Sequence, residues 1–573
     1  MKKILLGNSA VARGFVEAGG RVATAYPGTP STEITEEIAT YDGIYAEWSP
    51  NEKVAAEVAC GSAIAGARTI CSFKHVGLNV AADAVFTAAY TGVNGGLIFA
   101  VADDPGMHSS QNEQDSRFYA RSAHIPMLEP SDSQESKDFV LKAFEISEQF
   151  DTPVFLRMTT RVAHSRSIVQ LGEIKEVPLK EYKKDIPKYV MVPAMAKKRH
   201  IVVEKRDEDL TVFSNQTDLN FYQINDTKLG VVCTGAVYQY AKEVLPDASI
   251  FKIGMVYPLP IDKLKQFASQ VDRLVVIEEL EPYIEDGMKA KGIACEGKNL
   301  FSLQGEISED IIKEKLLGIT SDVKPLDLPI RPPVMCPGCP HRGIFHILKK
   351  NKFNVTGDIG CYTLGASAPL LAIDAVICMG ASIGMAMGYG KARGKEFAKK
   401  TAAVIGDSTF MHSGITGLAN AVYNKGEGIV IILDNSTTGM TGHQQHPGTG
   451  RTIKGEETTK VNYVEIAKAC KVSAVEEVDA YDIIAFEQLL HKFVKIDGVK
   501  VIIAKRPCIL LPGVEIFKYK INSETCKNCK LCMSIGCPSI SIQNGKPTID
   551  PATCRGCGVC ATLCHFDCIT KEV

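Results

Sequence analysis

Ala402-Ala403-Val404-Ile405-Gly406-Asp407-Ser408 reads as an apolar strand that ends on a carboxylate. A second run, Ile429-Val430-Ile431-Ile432-Leu433, ends the same way on Asp434-Asn435. Short β-branched runs of this kind, alternating with helical segments, predict an α/β fold with a parallel sheet. Open sheets of that class bind ligands beyond the carboxyl ends of their strands, where both motifs fall. The Asp407 carboxylate and the Asn435 side-chain oxygen are hard ligands suited to Mg²⁺, which in turn can hold a diphosphate.

The same alternation extends toward the N-terminus. Arg21–Tyr26, Leu97–Ala102 and Pro153–Arg157 read as strands, with an Ala/Gly-rich helix from Glu52 to Ala67 between the first two. Residues 1–165 therefore form one α/β domain, and 166–228, charged and rich in Lys and Glu, reads as a linker or surface excursion. A second α/β unit occupies 229–323, starting at Leu229-Gly230-Val231-Val232, and the Asp407 and Asn435 motifs lie in a third, 324–515. From 516 to 573 the composition turns to Cys, Ser, Pro and Gly, predicting a small α+β domain folded around metal.

Two cysteine runs organise that tail: Cys526, Cys529, Cys532 and Cys537-Pro538, then Cys554, Cys557, Cys560 and Cys564. Triplets at this spacing wrap iron–sulfur cubes, and in two-cluster modules the fourth cysteine serves the other cluster. Cys526, Cys529, Cys532 and Cys564 are assigned to one [4Fe–4S] cluster, and Cys554, Cys557, Cys560 and Cys537 to the other. Four residues separate Cys532 from Cys537, and His565 follows Cys564 where Pro is usual. Cys568 reads as a spare thiol or an alternative ligand. The competing zinc reading would group its ligands in CxxC pairs, not triplets.

Nine of the 19 cysteines lie in this tail, and the others follow no disulfide framework. That usage predicts a reducing cytoplasm and an oxygen-sensitive enzyme. Met1–Gly7 is too short an apolar run for a signal peptide. No stretch reads as a membrane span. A net charge of −2 over 573 residues gives no general reason to expect nucleic acid or a membrane surface as partner.

The pairing of Gly406-Asp407-Ser408 with Asn435 resembles the thiamine diphosphate motif. Cys336-Pro337-Gly338-Cys339-Pro340-His341-Arg342, Gly357-Asp358-Ile359-Gly360-Cys361-Tyr362 and Met379-Gly380-Ala381-Ser382 resemble the cofactor-cradling loops of 2-oxoacid:ferredoxin oxidoreductases. The resemblance implies that Cys336, Gly338, Cys339, His341, Gly360, Cys361, Gly380, Ala381, Ser382, Gly406, Asp407, Ser408 and Asn435 line the cofactor. It also implies that the Thr437 carbonyl joins Asp407 and Asn435 on magnesium. A zinc site at Cys336, Cys339, Cys361 and His341 is the alternative.

Asn51-Glu52-Lys53-Val54-Ala55-Ala56-Glu57 resembles the segment whose carboxylate activates the cofactor's aminopyrimidine. Glu52 is the match and Glu57, one turn on, its rival. Tyr26-Pro27-Gly28-Thr29-Pro30-Ser31 resembles the turn that touches the 2-oxoacid through a Thr hydroxyl, here Thr29. Lys74 and His75 either hold substrate charge or are surface groups on a loop.

By this resemblance the order of parts is a pyrimidine-type domain, a transketolase-C-like domain, a diphosphate-type domain and a two-cluster ferredoxin tail. It resembles the arylpyruvate-oxidising branch of that family. The resemblance implies oxidative decarboxylation of indolepyruvate- or phenylpyruvate-type acids with coenzyme A, and electrons passed to ferredoxin. It further implies a heterotetramer with a smaller beta subunit. No GxGxxG turn offers a hydride acceptor, so one-electron carriers are the visible outlet. Another 2-oxoacid, a non-oxidative decarboxylase, or an electron-transfer subunit whose α/β body is only a scaffold are the alternatives.

Overall fold

Parallel sheets built from these apolar runs dominate the chain. The computed structural model describes residues 1–320, 326–329 and 331–572, which divide into two compact units, Met1–Leu326 and Asp327–Val573. The junction expected at 323/324 lies outside the described residues.

The first unit holds a seven-stranded sheet in the order Met255–Tyr257, Met127–Leu128, Val154–Thr159, Leu97–Asp103, Thr69–Lys74, Val22–Ala25, Tyr45–Trp48. Every pairing is parallel except that of Met255–Tyr257. Thr69–Lys74, Leu97–Asp103 and Val154–Thr159 are buried along their whole length, as parallel strands covered on both faces must be. A second sheet orders Leu274–Ile277, Asp226–Thr234, Ala248–Ile253 and Phe221–Gln223, of which only the last is antiparallel. Buried Arg117 joins the two parts, donating to Asp115 and, at 2.6 Å, to Glu278.

Residues 166–228 are more ordered than their charge predicts. Arg166–Gln170 pairs antiparallel with Lys2–Leu6, and Pro193–Gln216 is a 24-residue helix. That helix buries only Val203, Arg206, Leu210 and Ser214. So narrow a stripe, half of it polar, hides the helical period from a reading of apolar positions. Arg206 is held by the carbonyls of Asp151 and Ala89 at 2.9 and 2.7 Å.

The second unit centres on a five-stranded, wholly parallel sheet: Asn354–Thr356, Thr401–Gly406, Gly428–Asp434, Val499–Lys505, Ala474–Asp479. Gly406 stands in register with Leu433, so Asp407 and Asp434-Asn435 leave the sheet side by side. The tail forms two small antiparallel ladders, Tyr519–Ile521 with Ile569–Lys571 and Ile540–Gln543 with Lys546–Ile549. Ile535, Ile540, Ile549, Val559 and Ile569 of the tail share one core with Ile344, Phe345 and Leu348. Among the described residues no helix is long and apolar enough to cross a membrane.

Candidate functional site

In the second unit the two strand ends bring Asp407, Asn435 and Thr437 together, all buried. The Asp407 carboxylate accepts the amides of Ser408 at 2.9 Å and Ser436 at 2.8 Å. One terminal atom of the Asn435 amide lies 3.1 Å from Asp407 Oδ1 and 2.8 Å from the Thr437 carbonyl. With nitrogen in that place the amide donates to both. With oxygen there, three oxygens converge with no proton between them, an arrangement that a cation makes favourable. The donor set therefore fits Mg²⁺. Burial and the Asp407 charge push the neighbouring Asp434 carboxyl up to about 6.

His446 joins this group from a loop that no motif marked. Its Nδ1 accepts the Gly448 amide at 3.2 Å, which leaves the proton on Nε2, and Nε2 lies 3.4 Å from Asp407 Oδ2. Ser408 accepts the Thr438 hydroxyl at 2.9 Å.

Around these residues stand the three loops singled out in the sequence. Buried Asp358 takes the amides of Gly380 at 2.7 Å and Ser382 at 3.0 Å, tying the loop before Gly360 to the start of the helix Ala381–Arg393. Gly380 has φ +82°, and a Cβ there would stand 2.4 Å from Ser413 Cβ, so only glycine serves. A Cβ on Gly406 would stand 2.5 Å from the Tyr362 ring. His341, edge-on to that ring, is buried, and burial lowers its pKa to about 4. A neutral imidazole results.

Cys336, Cys339 and Cys361 gather in the same unit, with a fourth thiol, Cys508, that the sequence reading missed. Burial pushes Cys361 up to about 11, and Cys508 and Cys336 nearby push the same way. Cys339 is pushed up to about 12 by burial, with Cys361 and Cys336 contributing. The Cys508 amide donates to the Asn435 carbonyl at 2.9 Å, and its sulfur lies 3.7 Å from His443 Nε2.

Further along, Cys526, Cys529, Cys532, Cys564 and Cys568 line one pocket. Cys564 and Cys568 bring their sulfurs to 3.3 Å. Cys557 and Cys560 are pushed up by burial, with Cys537 and Cys554 adding to it. Among the described residues no three His, Cys, Asp or Glu side chains stand at metal-holding separations, so these thiols line their sites without closing on a centre.

The first unit assembles a separate polar group. Glu52, first residue of the helix Glu52–Ile64, is buried, whereas Glu57 is exposed and paired with Lys53. The cap on this helix is Asn51, whose side chain accepts the Val54 amide at 2.9 Å. Lys74 ends a strand, buried, with Nζ donating to the Ser109 carbonyl at 2.6 Å; the Ser109 hydroxyl donates to the Thr29 carbonyl at 3.2 Å. Burial lowers Lys74 to about 8 against the pull of Asp104. His75 is buried with both ring nitrogens lacking a hydrogen-bond partner, and burial lowers its pKa as well. Lys74 and His75 are thus interior groups, not loop-surface ones.

Two family models match the chain. Residues 13–225 match "Pyruvate flavodoxin/ferredoxin oxidoreductase, thiamine diP-bdg", and 358–504 match "Thiamine pyrophosphate enzyme, C-terminal TPP binding domain". Indolepyruvate oxidoreductase subunit IorA of Archaeoglobus fulgidus is 39% identical, over 98% of this chain and 96% of that protein. The IorA of Pyrococcus abyssi is 41% identical over 99% and 96%. A 2-oxoglutarate:ferredoxin oxidoreductase structure from Magnetococcus marinus aligns with TM-score 0.47 and 14% identity, covering 55% of this chain and 65% of that one.

Proposed function

Since the chain belongs to the family of indolepyruvate oxidoreductase subunit IorA, and is a thiamine-diphosphate-dependent oxidoreductase of 2-oxoacids, we propose a finer reading within that chemistry. The substrate is an arylpyruvate of the indolepyruvate or phenylpyruvate type. With coenzyme A it yields the arylacetyl-CoA and CO₂, and two electrons leave singly through [4Fe–4S] clusters to ferredoxin.

Thiamine diphosphate, when bound, supplies the electron sink for decarboxylation. Asp407, Asn435 and the Thr437 carbonyl hold Mg²⁺, while Gly380, Ala381 and Ser382 offer a helix N-terminus to the diphosphate. Glu52 is the buried carboxylate for the aminopyrimidine. Thr29, Lys74 and His75 take the substrate, the ammonium of Lys74 pairing with its carboxylate. Cys526, Cys529, Cys532 and Cys564 hold one cluster, and Cys554, Cys557, Cys560 and Cys537 the other.

Cys336, Cys339, Cys361 and Cys508 neighbour one another closely enough to affect each other's charge, which supports a third cluster beside the cofactor loops, in place of zinc. Cys₄ sites take either metal, but one in the same unit as the cofactor loops and the tail cysteines favours the redox-active choice. The protein works in the cytoplasm in a heterotetramer with a smaller subunit.

The observation that carries this reading is the presence, in one unit, of an oxygen-lined cation site and grouped thiols. Its test is anaerobic assay of the co-purified subunits on a panel of 2-oxoacids, following reduction of ferredoxin or a viologen dye. Arylpyruvates are expected to reduce the dye fastest, and only with coenzyme A present. Aldehyde release without dye reduction would establish a non-oxidative decarboxylase instead. Iron analysis tests the third cluster: about twelve iron atoms per chain, falling to about eight in Cys361→Ser.

A further inference from the structure

Arg342 closes the Cys336–Arg342 run, and its side chain is 4% exposed. Nη1 donates to the carbonyls of Ile535 at 2.9 Å and Gly536 at 2.6 Å, immediately before Cys537. Nη2 donates to the carbonyls of Met335 at 2.5 Å and Cys336 at 3.1 Å. One guanidinium therefore ties the cofactor-side cysteine loop to the tail loop.

No carboxylate pairs with Arg342 among the described residues, and its Nε has no partner. A buried cation in that state is costly unless negative charge lies near it. Its bonds to the Cys336 carbonyl on one side and to the Gly536 carbonyl, next to Cys537, on the other set the guanidinium beside cysteines of both loops. Tyr481 packs against the same loop, donating to the Gly338 carbonyl at 2.6 Å. A Cβ on Gly338 would stand 2.8 Å from Arg555 Cβ, so the two loops abut.

We propose that Arg342 is a positioning residue for electron transfer, fixing the Cys336 loop against the Cys537 loop and lending its positive charge to the cysteine sites on both sides. This rests on reading both as iron–sulfur sites. A cluster held by four thiolates gains one negative charge on reduction, so a fixed cation favours the reduced form and raises the potential. The same four hydrogen bonds hold the separation across which the electron passes.

The test uses the anaerobic holoenzyme with its partner subunit, as Arg342→Gln and Arg342→Lys. Iron content is measured, and midpoint potentials are followed by EPR. In Arg342→Gln the clusters of Cys336 and of Cys537 become harder to reduce, each by a roughly tenfold fall in equilibrium constant, about 59 mV for one electron. The Cys526 cluster keeps its potential. Arg342→Lys keeps the charge but loses the fork, so the potentials hold while single-turnover reduction of the tail slows several-fold.

Unchanged potentials in iron-replete Arg342→Gln, or an equal shift in all three clusters, overturn the proposal. If Arg342→Gln loses its iron, Arg342→Lys decides: slowed transfer supports the role and wild-type transfer overturns it. Wild-type protein without iron in either flanking site overturns the underlying reading and this proposal with it, before any variant is made.

Discussion

Gly77 leaves bare the space that the Glu52 carboxylate fills: a Cβ at 77 would stand 2.7 Å from both Glu52 Cγ and Oε1. Gly77→Ala should therefore displace the carboxylate at a cost of about 1–3 kcal/mol from overpacking. Dye reduction should collapse while iron content stays. Glu52→Gln should lose the same activity with stability near wild type, since the packing is kept. An active Glu52→Gln would move the role elsewhere.

Lys74 titrates near 8, within reach of an assay. Below that pH the ammonium is charged and can pair with a carboxylate; above it the charge is lost. KM for the 2-oxoacid should rise as pH climbs through about 8, with kcat much less affected. In Lys74→Met, KM should be high throughout and flat. A wild-type KM that ignores pH between 7 and about 9 would remove Lys74 from substrate binding.

His446 Nε2 lies 3.4 Å from Asp407 Oδ2, one of the oxygens proposed to hold Mg²⁺. Outer partners of metal ligands orient them, and losing one typically costs about 10–100-fold in metal affinity. His446→Gln should raise the Mg²⁺ concentration needed for half-maximal activity by that factor, with full activity restored at saturating metal. Unaltered Mg²⁺ dependence would reduce His446 to a packing residue.

Cys564 and Cys568 bring their sulfurs to 3.3 Å, so either is placed to serve the proposed cluster. Cys568→Ser should keep its full iron. Cys564→Ser should also keep most of it, with an altered EPR spectrum, whereas the double variant should lose about four atoms per chain. Equal iron loss in Cys564→Ser and the double variant would show that Cys568 cannot substitute.

Strands such as Ile429–Leu433 were legible because parallel strands covered on both faces need unbroken β-branched runs. Asp407 and Asn435 were legible for a related reason: each ends such a run. His446 and Cys508 carried no such signal. They come from loops, and each reaches Asp407 or Asn435 through contacts to partners 39 and 73 positions away in the chain, where no local spacing applies. The helix Pro193–Gln216 escaped notice because its contacts to the unit run largely through polar side chains such as Arg199, Arg206 and Ser214, residue types that read as solvent-facing.

The tail's place in the core of the second unit sets the fate of damaged protein. Val559 and Ile569 are as much a part of that interior as Ile344 and Leu348, and Gly343 leaves room for Ile483, against which a Cβ would stand at 2.5 Å. A subunit whose tail unfolds therefore loses one wall of its core and cannot persist as an intact body with a loose appendage, so loss of the tail and disposal of the whole chain become one event.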